Sequence, residues 1–153
     1  MQIWLPKVPM NLRNMPLTPK NKTALPQRQF TLSHGGGVGE TQWFINGLEF
    51  NPLLPLAVTQ RSGQGEVWNV INGGGGWVHP MHMHQEEHTI LSRTFSLNPH
   101  PEDTGKEDVV ALDPNESVSF YRQFRTFLGN YVAHCHNLAH EDHNMMFGWS
   151  ITP

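Results

Sequence analysis

Cys135 is the only cysteine in a chain of 153 residues, and a histidine stands on each side of it. The segment His134-Cys135-His136 runs on to His140 and Met145, five and ten residues beyond the thiol. A second cluster, His79-Pro80-Met81-His82-Met83-His84, lies upstream. Thiolate, imidazole and thioether at close spacing make a soft donor set, and such a set selects copper.

The spacing sorts these residues into two groups. In an extended strand, residues two apart share a face and odd separations fall on opposite faces. His82 and His84 therefore share one side, and His79 falls to the other. By the same rule His134 and His136 share a side, with Cys135 opposite. One site would collect His79 and Cys135, with His140 and Met145 supplied by the turn beyond. Two imidazoles, a thiolate and a distant thioether are the ligand set of a blue-copper electron-transfer centre. The other site would collect His82, His84, His134 and His136, four imidazoles suited to copper that handles small oxygen ligands. Cys135 is bonded in sequence to both His134 and His136, which gives electrons a short through-bond route between the sites. Taken singly, each residue has a plainer reading: a lone cysteine is ordinarily a small buried hydrophobe, and Met145 would serve equally in a core. The joint pattern of two clusters with matching parity outweighs those readings. Zinc is the competing metal, but structural zinc sites usually have more cysteines or a Cys-x-x-Cys pair. His34, His88, His100 and His143 do not fit the parity scheme and are read as non-ligands.

Elements must hold these residues in place, and the rest of the chain points to strands. The length fits one domain, one that buries roughly 70% of its unfolded surface. The formal charge is −3 with no basic block, which argues against nucleic-acid binding. No 18-residue apolar run suggests a membrane span, and the first residues lack the pattern of an export signal. Residues 1–26 carry five prolines among basic residues and read as an arm or linker. From Gln27 short alternating runs take over. Strands are expected at 29–32, 42–47, 66–71, 89–93, 109–112, 117–124, 131–135 and 146–151, about eight in all, favouring an antiparallel all-β sandwich or barrel. Gly73 to Gly76 read as a turn between strands; no Gly-Lys-Ser/Thr follows to make a phosphate loop.

The two motifs resemble those of the last cupredoxin domain of multicopper oxidases, and most nearly the bilirubin oxidase, spore-coat laccase and phenoxazinone synthase subgroup. The similarity spans residues 27–153 and includes the His140-Glu141-Asp142 and Met145-Met146 ending. It implies a Greek-key cupredoxin sandwich or barrel. It implies a type 1 copper on His79, Cys135, His140 and Met145, a type 2 copper on His82, and a type 3 pair on His84, His134 and His136. Glu141 matches an acidic residue that helps deliver protons to reduced dioxygen; a solvated carboxylate or a partner to a ligand is the equal alternative. The implied reaction is one-electron oxidation of a donor (phenol, pyrrole pigment or metal ion) coupled to reduction of dioxygen to water. The family's trinuclear centre takes eight histidines, four of them from another cupredoxin domain with two His-x-His motifs, and this chain has no second such pair. Another domain or a homo-oligomer would have to supply them. Asn137 stands where the family often has an apolar residue, and Ala139 where the subgroup often has Glu. A periplasmic or secreted location is expected from the resemblance. The alternatives are a free-standing blue-copper electron carrier and a copper storage or chaperone module.

Overall fold

The computed structural model describes residues 18–36, 41–60, 63, 65–94, 100–125 and 127–153. Ten strands run in chain order: β1 (Gln27–Gly35), β2 (Gln42–Ile45), β3 (Ala57–Gln60), β4 (Glu66–Asn72), β5 (His79–Met83), β6 (His88–Arg93), β7 (Val109–Leu112), β8 (Ser117–Arg122), β9 (Gly129–Cys135) and β10 (Met146–Thr152). A five-residue helix, α1 (Leu138–Asp142), separates the last two, and short 3-10 turns occupy Lys22–Ala24 and Pro101–Thr104. The strands form two five-stranded sheets, ordered β2-β1-β4-β8-β6 and β3-β10-β9-β5-β7.

Alternation in the sequence decides which side of each strand is buried. Phe30 and Leu32 of β1, Trp68 and Val70 of β4, and Val118 and Phe120 of β8 form the inner face of the first sheet. They meet Met81 and Met83 of β5, Ala133 and Cys135 of β9, and Phe147 and Trp149 of β10 in one continuous core. Aromatic pairs bridge the sheets. Phe30 stacks on Phe147 with ring centres 4.3 Å apart, and Trp68 meets Trp149 edge-on at 5.5 Å. Each such pair contributes about 1 kcal/mol beyond the area it buries. Val67, on the opposite face of β4 from Trp68, packs instead with Leu25 and Tyr121.

The all-β sandwich agrees with the sequence reading, with two differences. The described residues form ten strands rather than about eight. The additions are Ala57–Gln60, a four-residue strand after a proline-containing segment, and His79–Met83, whose histidines and proline hide its strand character. The sheets are also mixed: β1 runs parallel to β4 (Phe30 opposite Val70) and β10 parallel to β3 (Trp149 opposite Ala57). Pairings this distant carry no local signal, so turn counting alone favours antiparallel neighbours. Of the expected 1–26 arm, residues 1–17 lie outside the described residues; the 3-10 turn and buried Leu25 belong to its remainder. No helix among the described residues is long and apolar enough to cross a membrane.

Candidate metal sites

The register of β5 against β9 builds both sites. The strands pair antiparallel with Met81 opposite Cys135, His82 opposite His134 and Met83 opposite Ala133. Directly opposed residues project to the same face. Met81, Cys135, Met83 and Ala133 therefore point into the core, while His82 and His134 point away from it. Burial along β5 follows the same beat: His79, Met81 and Met83 are buried, Pro80 and His82 less so. Past the paired residues, His84 N–H donates to Val132 O (3.2 Å) and His136 N–H to Pro80 O (2.6 Å). A slip of one residue would send every one of these side chains to the wrong face.

On the inner side, His79, Cys135 and His140 converge, all three buried. His79 Nδ1 lies 3.6 Å from Cys135 Sγ, His140 Nδ1 lies 3.4 Å from the same sulfur, and the two nitrogens are 3.2 Å apart. A point equidistant from these atoms is about 2.0 Å from each, close to the metal–nitrogen and metal–sulfur distances of a transition metal site. The residues present therefore fit a metal ion. Met145 is fully buried, and its backbone ties it to both neighbours: Cys135 N–H donates to Met145 O and Met145 N–H to His140 O, each at 3.0 Å. Helix α1 delivers His140. Asn137 caps it, its side-chain oxygen accepting from Ala139 N–H at 3.1 Å. That cap accounts for a polar residue at position 137.

The protonation states suit ligation. Burial, reinforced by His140 and His34, pulls His79 down to about 4, and burial with His143 lowers His140. Both imidazoles are therefore neutral near pH 7. Burial pushes the Cys135 thiol up to about 11, against a backbone hydrogen bond from Asn137 and with Glu141 adding to the rise. A metal must displace that proton to obtain the thiolate.

On the outer side, His82, His84 and His134 bring one ligand atom each within 4.8 Å of one another. His84 Nε2 and His134 Nε2 are 3.2 Å apart. The distal nitrogens are occupied elsewhere. His82 Nδ1 is 3.0 Å from Asp108 O, and His134 Nδ1 is 3.3 Å from both Cys135 O and Glu141 Oε2. Donation from Nδ1 to these oxygens leaves Nε2 as the lone-pair nitrogen. The two sites thus present different nitrogens, Nδ1 inside and Nε2 outside. His136 is at the rim of the trio, its ring centre 5.7 Å from that of His82 and 5.5 Å from that of His134. Glu141, half-buried, sits on a candidate ligand rather than free in solvent. Burial, with His82 and His134 nearby, lowers His84.

His34, His88 and His143 join neither trio among the described residues. What the sequence did not disclose is the aromatic surround of the inner site. Trp43 stacks on His140 with ring centres 3.7 Å apart and meets His79 edge-on at 5.4 Å. Trp77 meets His140 edge-on at 5.5 Å. Trp43 is placed by a chain of contacts from the glycine turn: Gly75 has φ +89°, and a β-carbon there would collide with His34 Nε2, whose ring packs on Trp43. Trp43, Trp77, His140, Glu49, Asn137 and Asp142 line a cavity of about 600 Å³ that opens beside the inner site. No local spacing links these residues, so only the assembled fold reveals them.

This arrangement of strands and donors recurs in known proteins. The sequence model described as multicopper oxidase matches residues 21–153. The bilirubin oxidase of Albifimbria verrucaria is 40% identical over 155 residues, covering 95% of this chain and 25% of that protein. A laccase of Haloferax volcanii is 36% identical over 109 residues, covering 70% of this chain and 18% of its own length. The crystal structure of laccase from Pediococcus acidilactici superposes with a TM-score of 0.78 at 27% identity, across 96% of this chain and 31% of that one. The chain thus spans about a quarter of its bilirubin oxidase relative. With a cysteine-centred trio inside the sandwich, a histidine trio outside it and a family match over residues 21–153, this chain belongs to the multicopper oxidases.

Proposed function

We propose that this chain is the domain of a copper oxidase that receives electrons from a small reducing donor and passes them toward dioxygen. The observation that carries the reading is the division of two metal-ready clusters across the β5–β9 ladder, one containing the thiol and one made of imidazoles. Copper held there would accept one electron at a time on the thiolate side and supply four to dioxygen on the imidazole side, giving two waters with four protons. The assignments follow the donors. His79, Cys135, His140 and Met145 are assigned to a type 1 site, His82 to type 2, and His84, His134 and His136 to type 3. Cys135 joins the two sides through its own peptide bonds to His134 and His136. The cavity beside His140 is the entry face for the donor, with Trp43 and Trp77 shielding the imidazole edges from water. Glu141 is assigned to holding the proton on His134 Nδ1 and to relaying protons on the outer side. The remaining histidines come from another cupredoxin domain or a second copy of the chain, and export to an oxidising compartment belongs to the same proposal.

The test is copper loading of the full chain. An intense visible thiolate-to-copper band is expected, and Cys135→Ser should abolish it. A serine variant that retained the band would remove the type 1 assignment. Oxygen uptake is expected only when a partner domain or self-association supplies further histidines. Failure of every such assembly to consume oxygen would sink the oxidase reading.

A further inference from the structure

Arg122 closes β8, is fully buried, and lies in the main core rather than at either metal site. Its guanidinium carbon is 5.0 Å from the ring centre of Trp68, 5.0 Å from Trp149 and 5.4 Å from Phe124. Three aromatic faces stabilise a cation there, but a buried charge also needs hydrogen-bond acceptors. Arg122 finds them on the backbone. Nη2 donates to His84 O (2.7 Å) and to Glu86 O (2.5 Å), and Nε donates to Glu86 O (3.1 Å). The two carbonyls bracket Gln85, a non-glycine residue held at φ +75°. Such a conformation is unfavourable for a residue with a side chain and persists only where its surroundings enforce it. Glu86 is held from the other direction, accepting from Arg125 N–H (3.2 Å) and Arg125 Nη2 (2.9 Å).

His84 lies one residue beyond the end of β5, and its side chain is exposed. The ladder therefore does not fix it from both sides as it fixes His82. Its backbone has two anchors, Val132 O on its N–H and Arg122 on its carbonyl. Its Nε2 must nonetheless stay 3.2 Å from His134 Nε2.

We propose that Arg122 is a positioning residue for the outer metal site: from within the core it clamps the left-handed turn after His84 and so sets where that imidazole points. The proposal rests on the reading of the outer histidines as metal ligands. A planar fork is required, because one guanidinium edge serves two carbonyls at once. An ammonium on a lysine stem reaches the same place as a point charge without that geometry.

The test titrates Cu(II) into the full chain and into Arg122→Met, Arg122→Lys and Gln85→Pro. The visible band at Cys135 reports the inner site, and the copper paramagnetic resonance of an all-nitrogen site reports the outer one. In Arg122→Met the inner band is expected to persist while outer-site affinity falls between about tenfold and a hundredfold. Arg122→Lys should recover part of that loss. Gln85→Pro forces φ to about −65°, pulls the carbonyls off Arg122 from the loop side and should reproduce the loss even if Arg122→Met fails to fold. Unchanged outer affinity in Gln85→Pro, or in a folded Arg122→Met, overturns the proposal. Equal loss at both sites in these variants also overturns it, since that is general destabilisation. Wild-type protein that takes up no copper on the outer histidines defeats the functional reading itself, a result distinct from a wild type that binds and variants that bind equally well.

Discussion

Protons decide how the individual residues behave. Metal-free protein carries a protonated thiol at Cys135 and neutral imidazoles at His79 and His140 near pH 7. Copper uptake at that site should therefore release one proton per ion, and affinity should rise about tenfold per pH unit from near neutrality toward pH 10. Calorimetry in buffers of different ionisation enthalpy measures the proton count; zero protons released would contradict thiolate ligation. His88 makes a separate case. It is fully buried against Phe120, with neither ring nitrogen hydrogen-bonded among the described residues, and burial with Arg122 beyond pulls it down to about 3. Because the folded value lies below the unfolded 6.5, the unfolded chain binds the extra proton as pH falls. Stability is whole above pH 6.5 and is lost between there and about 3, at about 1.4 kcal/mol per pH unit. His79 adds to the loss down to about 4 in metal-free protein. Denaturant unfolding across that window should show the slope, and His88→Leu should flatten it; an unaltered slope would exclude His88 as its source. The grouping of His79 with Cys135 and of His82 with His84 and His134 was legible in the sequence because strand parity is a local rule. Trp43 and Trp77 were not, since their distance from His140 is set by the fold and not by spacing.

Short elements do most of the positioning. Helix α1 has five residues and one side-chain cap, yet it carries His140, which joins the inner trio, and Glu141, which lies against His134 of the outer trio. Asn137→Ala removes the cap at a cost of about 1 kcal/mol. The melting temperature should fall by only about 2–4 °C, while copper dissociation from the inner site quickens. Stopped-flow chelation follows the second quantity, and an unchanged off-rate would show that α1 needs no cap to hold His140. Trp43→Ala should cost more, about 3–5 kcal/mol, because it empties a buried volume stacked directly on a ligand ring. Most strands were legible from alternation, Trp68 and Val70 against Val67 being the clearest. Strand β3 was not: Ala57-Val58-Thr59-Gln60 is four residues long, and its pairing with β10 spans most of the chain. Parity sorted the histidines of β5, but Pro80 kept the segment out of the expected strands; its carbonyl still accepts from His136 N–H.

At the scale of the molecule, the proposed function puts donor entry and oxygen chemistry on opposite sides of one β-ladder. The cavity beside His140 opens on one side, while His82, His84 and His136 remain accessible on the other. Native mass measurement with copper counting should therefore give one tightly held ion on the inner donors of an isolated chain, a weaker and exchangeable ion on its outer histidines, and a stable trinuclear set only in an assembly that covers those histidines. A lone chain holding a stable trinuclear cluster would contradict this division. The β5–β9 register carries a further consequence, one for heredity. Losing a single codon between His79 and His82 would turn His82 and His84 into the core and leave both sites broken at once. Losing two would restore the parity and spare the beat of the strand, though not its length. Lineages descending from such a sequence can accept changes of length in turns remote from both sites, but within the β5–β9 pair those changes must be even.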